Sequence, residues 1–208
     1  MTPYDQWKRS AWDDAHATQN ISALTGTGFL PHVSCLGVAE FIQPTAKVLC
    51  IGVGTGQWVR ECAQKVADVR ALDISPMASK NLEEIVLVTN AEELPDSHFD
   101  LALSHYVAVH VSDHDLEVQL RNVIRSLKPS GIFAMHYKEP LRPDQPVDNW
   151  AGESKEVEVA ICAFMLRRRE HMKEMVRWAG GKVIKYVADI PCEAQEMREV
   201  VIHIGRAE

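Results

Sequence analysis

Three glycines follow an apolar run in the stretch CIGVGTGQW, residues 50–58. Gly52, Gly54 and Gly56 occupy alternate positions, and glycine permits positive φ angles and close approach of another molecule to the main chain. Asp73 lies 21 residues after Gly52, at the end of a second apolar run. A carboxylate at that place can accept hydrogen bonds from ribose hydroxyls. The spacing predicts a site for an adenosine-containing cofactor.

A dinucleotide site is the main alternative for this turn. The GxGxxG turn of such sites has a small residue at its sixth position, so that helix and strand pack closely beneath a pyrophosphate. Counting from Gly52, the sixth position here is Gln57, followed by Trp58. The loop therefore does not favour a pyrophosphate, although a nicotinamide-dependent oxidoreductase remains an alternative function.

The glycine turn must be held by an alternation of strands and helices. Apolar β-prone runs predict seven strands, at residues 48–51, 69–72, 85–88, 99–103, 132–137, 182–188 and 199–204. Helical spacing predicts a helix ending before Pro44 and further helices near 58–66, 78–84, 116–127 and 161–179. Ser112 and Asp115 predict a capped start for the helix near 116–127. The arginines at 167–169 are expected on the solvated face of the last helix, with an anion site as the alternative.

This order of elements predicts the α/β class, a Rossmann-like doubly wound sheet. We expect a mostly parallel seven-stranded sheet with helices on both faces and an antiparallel edge hairpin, because no helix separates the last two strands. The chain is predicted to form one domain over residues 1–208. Its expected parts are an N-terminal helical lid (1–44), a cofactor-binding core (45–137), a connector or lid (138–154), and a C-terminal helix with two strands (155–208).

Four ordered motifs resemble those of the class I S-adenosylmethionine-dependent methyltransferases. VLCIGVGTG (48–56) is similar to the first motif and LDIS (72–75) to the second. NAEELPDSHFDLALSHYVAVHVSD (90–113) is similar to the adenine-contacting turn and fourth strand, and RNVIRSLKPSGIFAM (121–135) to the helix, turn and fifth strand. Two departures are Cys50, where the family often has an acid that positions the methionine amino group, and Ser130 in a turn that usually contains two glycines.

The resemblance implies S-adenosylmethionine as the cofactor and S-adenosylhomocysteine as its product. Glycines are expected at the methionine end, an aspartate at the ribose, and later residues around the adenine. For two of these, Ile74 and Met77, core packing is the alternative. The residues expected at the cofactor are Gly52, Gly54, Gly56, Asp73, Ile74, Met77, Asn90, Ala91, Glu92 and Ser104.

Histidines follow the strands at the edge where the resemblance places the transferred methyl group. His105 and Tyr106 come directly after the fourth strand, and His110 lies where the family commonly has a histidine. Because histidine ionises near neutrality, His105 or His110 is hypothesised to be the general base. The alternative for each is a hydrogen bond to the backbone at a helix start. His105, His110 and Tyr106 are thus the catalytic candidates.

Aromatic residues in otherwise polar segments need a surface against which to pack. We expect such residues in the terminal segment and the connector to form a lid and part of the acceptor pocket. Two residues that end the fifth strand are expected at the same rim. The set comprises Tyr4, Trp7, Trp12, Trp150, His136 and Tyr137.

The composition restricts the partners. The 208 residues have a net charge of −7, which argues against nucleic acid as the substrate. No apolar run is long enough for a membrane span, the five cysteines show no CxxC pair, and the acids and histidines at 110–115 match no zinc or EF-hand spacing. We expect a cytoplasmic protein with no bound metal and a small-molecule methyl acceptor, bound through O, N or S. The oligomeric state, monomer or homodimer, stays open, as does a cofactor-binding module without catalysis.

Overall fold

The computed structural model describes residues 29–82, 84–144, 165–192 and 196–207. These residues form a seven-stranded sheet in the order β3-β2-β1-β4-β5-β7-β6. The strands are β1 (Lys47–Ile51), β2 (Asp68–Leu72), β3 (Val86–Val88), β4 (Phe99–Ser104), β5 (Leu127–Pro140), β6 (Gly181–Cys192) and β7 (Met197–Arg206). Strands β1 to β5 are parallel, whereas β7 pairs antiparallel with both β5 and β6. The predicted fold class, including the edge hairpin, is confirmed.

Helices cover both faces of this sheet. They are α1 (Phe29–Leu36), α2 (Gln57–Ala63), α3 (Asp113–Ser126) and α4 (Arg169–Trp178). Successive strand side chains point to opposite faces, so each central strand contributes to two cores. Val48 and Leu103 pack with α1 and α2, while Leu49 and Ala102 pack with α3 and α4. In the described residues no helix is long and apolar enough to cross a membrane.

Several helix boundaries differ from the sequence prediction. The helix expected up to Pro44 ends at Leu36, because Gly37 adopts a left-handed conformation (φ 62°) and a 3₁₀ turn follows at Ala39–Phe41. The helix expected at 78–84 is instead a 3₁₀ turn, Pro76–Asn81. By contrast, the predicted cap of α3 is confirmed. The Ser112 hydroxyl accepts a hydrogen bond from the Asp115 amide at 3.1 Å.

The last predicted helix starts later than its apolar spacing suggested. Met165 to Arg168 are not helical, and α4 begins at Arg169. The Arg167 amide donates to the Lys138 carbonyl at 2.8 Å, and the Met165 amide donates to the Val109 carbonyl at 2.7 Å. These hydrogen bonds draw the segment alongside β5, where it forms an isolated parallel bridge.

Arg167 is buried, so the prediction of a solvated face is wrong for this residue. Its side chain is 2% exposed. The guanidinium donates to the Asp113 carboxylate at 2.7 Å and to the carbonyls of Ala108 and Val111 at 2.6 and 2.5 Å. Because all three acceptors belong to the connection between β4 and the start of α3, Arg167 holds that connection against the sheet.

Candidate active site

The glycine turn after β1 adopts backbone conformations that would be strained for any residue other than glycine. Gly52, Gly54 and Gly56 have φ angles of 78°, 55° and 75°. A Cβ atom on Gly52 would collide with the Val107 side chain, and one on Gly56 with the Asn81 carbonyl oxygen. The turn is therefore shaped by conformation and by close contacts with neighbouring protein atoms.

Asp73 connects this turn to the end of β2. One carboxylate oxygen accepts from the Val53 amide at 2.7 Å, and the other accepts from the Ser75 amide at 3.0 Å. Each carboxylate oxygen can accept more than one hydrogen bond, so Asp73 can also bind ligand hydroxyls. The neighbouring Ile74 is 41% exposed, which excludes the alternative of core packing for this residue.

The other predicted cofactor residues lie at the same edge. Met77 is half-buried in the turn after β2, and the Asn90 side chain, after β3, accepts from the Glu92 amide at 3.0 Å. Two buried hydroxyls, Thr55 Oγ1 in the glycine turn and Ser104 Oγ at the end of β4, have no hydrogen-bond partner among the described residues. Buried polar atoms are normally satisfied, so this edge fits a polar ligand that supplies the missing partners. Thr55 was not identified from the sequence.

Cys50 is a core residue. It is fully buried in the core between the sheet and α2, where it contacts Cys62. Burial raises the pKa of the Cys50 thiol, and the neighbouring Cys62 adds to this shift. The position at which the family often has an acid is therefore an uncharged core position in this chain.

Beyond the glycine turn, four rings form a group that we call the histidine cluster: His32, His105, Tyr106 and His136. Ile51 pairs with Ser104, and Ser104 pairs with Met135. The residues that follow these three, Gly52, His105 and His136, are thus level across β1, β4 and β5. His105 Nδ1 lies 2.9 Å from His32 Nδ1, and the ring centroids of His105 and Tyr106 lie 5.4 and 4.5 Å from that of His136.

The electrostatics of the cluster keep His105 uncharged. Burial is the main cause that lowers the pKa of His105 to about 3, and the neighbouring His32 and His136 lower it further, against the opposing charge of Glu199. At neutral pH His105 is consequently a neutral hydrogen-bonding group. It is a poor acceptor of a proton, because general bases work best when their pKa lies near the operating pH.

His136 belongs to a different pair. Its Nε2 is hydrogen-bonded to the Glu199 carboxylate, whose other oxygen lies 3.1 Å from Lys138 Nζ. Burial alone raises the pKa of Glu199, but the hydrogen bond from His136 and the charge of Lys138 outweigh it and lower the pKa. His32, Lys138 and Glu199 were not predicted from the sequence. The one available signal was strand alternation, which places Lys138 on the same face as His136.

The remaining candidates are not all in the cluster. His110 lies in the 3₁₀ turn Ala108–His110, and its amide donates to the Val107 carbonyl at 2.9 Å. Tyr137 is fully buried on the opposite face of β5, where its hydroxyl donates to Glu139. The structure thus separates Tyr137 from His136, its neighbour in sequence. The predicted lid residues Tyr4, Trp7, Trp12 and Trp150 lie outside the described residues.

Trp58 connects the glycine turn to the cluster. Its indole N–H donates to the Val53 carbonyl at 3.2 Å, and its ring stacks on His32 with centroids 4.8 Å apart. The tryptophan therefore has a structural role beneath the turn. Among the residues that the structure describes, no group of three or more His, Cys, Asp or Glu side chains could hold a metal ion.

Comparison with known families identifies the part of the chain that carries this edge. The stretch 49–135 matches the family described as methyltransferase domain. Residues 49–135 are a methyltransferase domain. The match includes the glycine turn, Asp73 and His105, and the predicted class, S-adenosylmethionine-dependent methyltransferases, is confirmed for this stretch. His136 and Glu199 lie outside the matched part of the methyltransferase domain.

Two curated relatives match part of the chain, and one of them is named as a methyltransferase. An uncharacterized methyltransferase of Synechocystis sp. is 36% identical over 101 residues, which cover 45% of this chain and 48% of that protein. An uncharacterized protein of Methanocaldococcus jannaschii is 36% identical over 100 residues, 45% of this chain and 39% of its own length. The chain therefore spans less than half the length of these curated relatives.

A solved structure extends the likeness to the whole fold. The 1,6-didemethyltoxoflavin-N1-methyltransferase of Burkholderia thailandensis, solved with 1,6-didemethyltoxoflavin and S-adenosylhomocysteine, superposes with a TM-score of 0.72. The two chains are 19% identical, and the match covers 100% of this chain and 92% of the other. At this identity the likeness shows only that this chain and the Burkholderia enzyme share a fold, which includes the elements that flank residues 49–135.

Proposed function

We propose that this protein transfers a methyl group from S-adenosylmethionine to an oxygen, nitrogen or sulfur atom of a small-molecule acceptor. The observation that carries the proposal is a shared location. The glycine turn, Asp73 and the histidine cluster meet at the carboxyl edge of one sheet, within or directly beside the matched methyltransferase domain. In open α/β sheets ligands bind at that edge.

The cofactor side of the proposal uses the residues at the ends of β1 to β4. Asp73 would bind the ribose hydroxyls, and the exposed Ile74 would pack against the adenine. Thr55 and Ser104 would donate to or accept from polar atoms of the methionine part, which would satisfy their buried hydroxyls. The full set is Gly52, Gly54, Thr55, Gly56, Asp73, Ile74, Met77, Asn90, Ala91, Glu92 and Ser104.

The acceptor side uses the histidine cluster. Tyr106 is 43% exposed and has a left-handed backbone (φ 59°), a conformation that non-glycine residues adopt mainly where the surroundings enforce it. Its ring and the neutral His105 offer a flat surface and hydrogen-bonding groups to a planar acceptor. The heterocyclic acceptor bound by the Burkholderia enzyme supports a small molecule of this kind. The net charge of −7 favours such an acceptor over nucleic acid.

The proposal is tested by calorimetric titration with S-adenosylmethionine, S-adenosylhomocysteine and NADH in parallel. We expect binding of both adenosyl compounds at micromolar concentration, which corresponds to about 8 kcal/mol, and no heat with NADH. Binding of NADH alone would replace the proposal by a nicotinamide-dependent oxidoreductase. Transfer of label from [methyl-³H]S-adenosylmethionine to a panel of phenols, N–H heterocycles and thiols then separates a transferase from a module that only binds the cofactor.

A further inference from the structure

The two ring nitrogens of His136 differ in their hydrogen bonding. The residue is 3% exposed, and its Nε2 is hydrogen-bonded to the Glu199 carboxylate. Its Nδ1 is buried and has no hydrogen-bond partner among the described residues. Leaving a buried polar atom unsatisfied costs about 1–3 kcal/mol, so its presence requires an explanation.

The carboxylate of Glu199 determines which nitrogen carries the proton. An ionised carboxylate only accepts hydrogen bonds, so Nε2 must be the N–H donor of the neutral ring. In the neutral ring, Nδ1 then has a lone pair and no proton. Lys138 Nζ, 3.1 Å from the other Glu199 oxygen, keeps the carboxylate ionised and in place.

We propose that His136 Nδ1 accepts the proton that the methyl acceptor loses, and that Glu199 is the positioning residue that fixes the ring for this role. This inference rests on the proposed methyl transfer. His136 would be the catalytic residue in place of His105, whose Nδ1 is engaged by His32. Tyr106 lies beside the His136 ring, with centroids 4.5 Å apart, and its partly exposed side chain would turn to pack against the acceptor as the acceptor reaches Nδ1.

The step is balanced in atoms and charge. A lone pair of the acceptor heteroatom forms the new bond to the methyl carbon, and the pair of the carbon–sulfur bond stays on sulfur. The acceptor hydrogen leaves as a proton to His136 Nδ1. The positive charge of the sulfonium is thereby replaced by that of an imidazolium, which the Glu199 carboxylate stabilises. Release of this proton to water restores the neutral ring.

Several titratable groups face His136 or its neighbours His105 and Tyr106, and they belong to the same charge balance. They come from α1, from the turn after β4 and from β5 and β7. His105 is neutral at pH 7, and burial raises the pKa of Tyr106, so the tyrosine hydroxyl keeps its proton at that pH. The set is His32 and Cys35 on α1, His105 and Tyr106 after β4, Lys138 on β5 and Glu199 on β7.

The first test reads the ring directly and needs no cofactor. In long-range ¹H–¹⁵N spectra of the free, ¹⁵N-labelled protein at pH 8, with His136→Asn used for assignment, we expect the neutral His136 ring to carry its proton on Nε2. Glu199→Gln should give a mixture of tautomers, because an amide can both donate and accept. A proton on Nδ1 in the wild type would overturn the proposal, since that atom could then accept nothing.

The second test uses the acceptor that the wild type methylates best in the panel. At pH 7 His136→Asn should lower kcat by about 10²- to 10⁴-fold with little change in KM, as expected for loss of a general base. Its rate should then rise with pH as the acceptor ionises unaided, which a merely structural defect would not produce. Glu199→Gln should lower kcat by roughly 10-fold or more, the loss expected when a catalytic histidine keeps its place but not its charged partner.

A matched control lies at the opposite edge of the sheet. His98 also pairs with a carboxylate, Asp68, at 3.0 Å, but both residues stand at the amino ends of the strands. His98→Asn should retain wild-type kcat, and wild-type kcat in His136→Asn would overturn the proposal.

Failure of the underlying function is distinguishable. Absence of S-adenosylhomocysteine binding, or of any methylated acceptor in the panel, would count against the proposed function. The tautomer of the free protein would still decide whether His136 Nδ1 is available to accept a proton.

Discussion

Single residues at the carboxyl edge are constrained by neighbouring protein atoms before any ligand binds. Gly52 and Gly56 are required by left-handed conformations and by contacts with Val107 and Asn81. Asp73 is oriented by two main-chain amides. Because these contacts are made by protein atoms, the turn and Asp73 have their positions in the free protein. The effect of a substitution here therefore depends on the neighbours of the replaced residue.

Replacing Gly52 by alanine should destabilise the protein more than the same change at Gly180. Both glycines are left-handed, with φ angles of 78° and 82°, so both variants have the conformational penalty of about 1–2 kcal/mol. Only Gly52 has a side chain, Val107, in the space that the new methyl group would need, whereas nothing lies within 4 Å of the corresponding atom at Gly180. Urea unfolding of both variants measures the difference. Equal losses would contradict the packing argument.

Replacing Asp73 by asparagine should weaken binding of S-adenosylhomocysteine. The two carboxylate oxygens accept from the Val53 and Ser75 amides, so an asparagine must turn its own N–H₂ group toward one of these donors. Loss of a charged acceptor is worth about 1.5–3 kcal/mol, or roughly 10- to 100-fold in affinity by calorimetry. Asp96→Asn is the control, because Asp96 pairs with Arg125. Unchanged affinity in Asp73→Asn would remove Asp73 from the site.

At the scale of elements, the connection from β4 to α3 carries two residues of the histidine cluster, His105 and Tyr106. It has one main-chain hydrogen bond to the segment before α4, from Met165 to Val109, and is held further by the buried Arg167. Because Tyr106 lies in this connection, its position depends on elements that are distant in sequence. The contacts of Arg167 and Met165 therefore link the C-terminal part of the chain to the proposed acceptor side.

Arg167→Met should destabilise the protein by about 1–3 kcal/mol for each of the two carbonyls that lose their buried donor. The substitution leaves two carbonyls and the Asp113 carboxylate without their common donor. Denaturant unfolding measures the loss. Lys173→Ala removes an exposed pair with Glu170 on α4 and should have little effect. If both variants unfold alike, the connection does not depend on Arg167.

For the whole molecule, buried histidines make stability depend on pH. Burial is the main cause that lowers the pKa of His105 to about 3, and it also lowers the pKa of His203, whose ring donates to the Leu36 carbonyl. In the unfolded chain a histidine binds its proton near pH 6.5. Between these values the unfolded state holds more protons than the folded state. The contribution of these neutral histidines to the free energy of unfolding is thus fully present above about pH 6.5, and it falls as the pH is lowered toward the pKa of the folded state.

The free energy of unfolding should therefore decrease between pH 7 and pH 4.5. The slope should be at most about 1.4 kcal/mol per pH unit for each buried histidine. His105→Asn should make the slope shallower by up to about 1.4 kcal/mol per pH unit, the value for one proton. His114→Asn, at an exposed position of α3, should leave the slope unchanged. Urea titrations at intermediate pH give these values. A flat profile in the wild type would contradict the assignment of neutral, buried histidines.

Much of the fold was accessible from local patterns. Apolar β-prone runs predicted all seven strands and the edge hairpin, because these runs and the lack of a helix between β6 and β7 are local properties. The glycine turn and Asp73 were recognised for the same reason, since each follows directly from a strand end. Helix ends such as Leu36 and Arg169 were mispredicted, because a left-handed glycine and contacts with β5 set those boundaries.

The amino-acid sequence was sufficient to predict the order of elements and the class of the central domain, and to propose the edge at which a ligand binds. The composition of the histidine cluster came from tertiary packing. His32 and His105 are 73 residues apart, and His136 and Glu199 are 63 residues apart, so no local pattern links them. Strand alternation places His136 and Tyr137 on opposite faces of the sheet. Arg167, expected at the surface, is buried and holds the connection between β4 and α3. Contacts across a sheet arise from register and chain topology, which neighbouring residues do not encode.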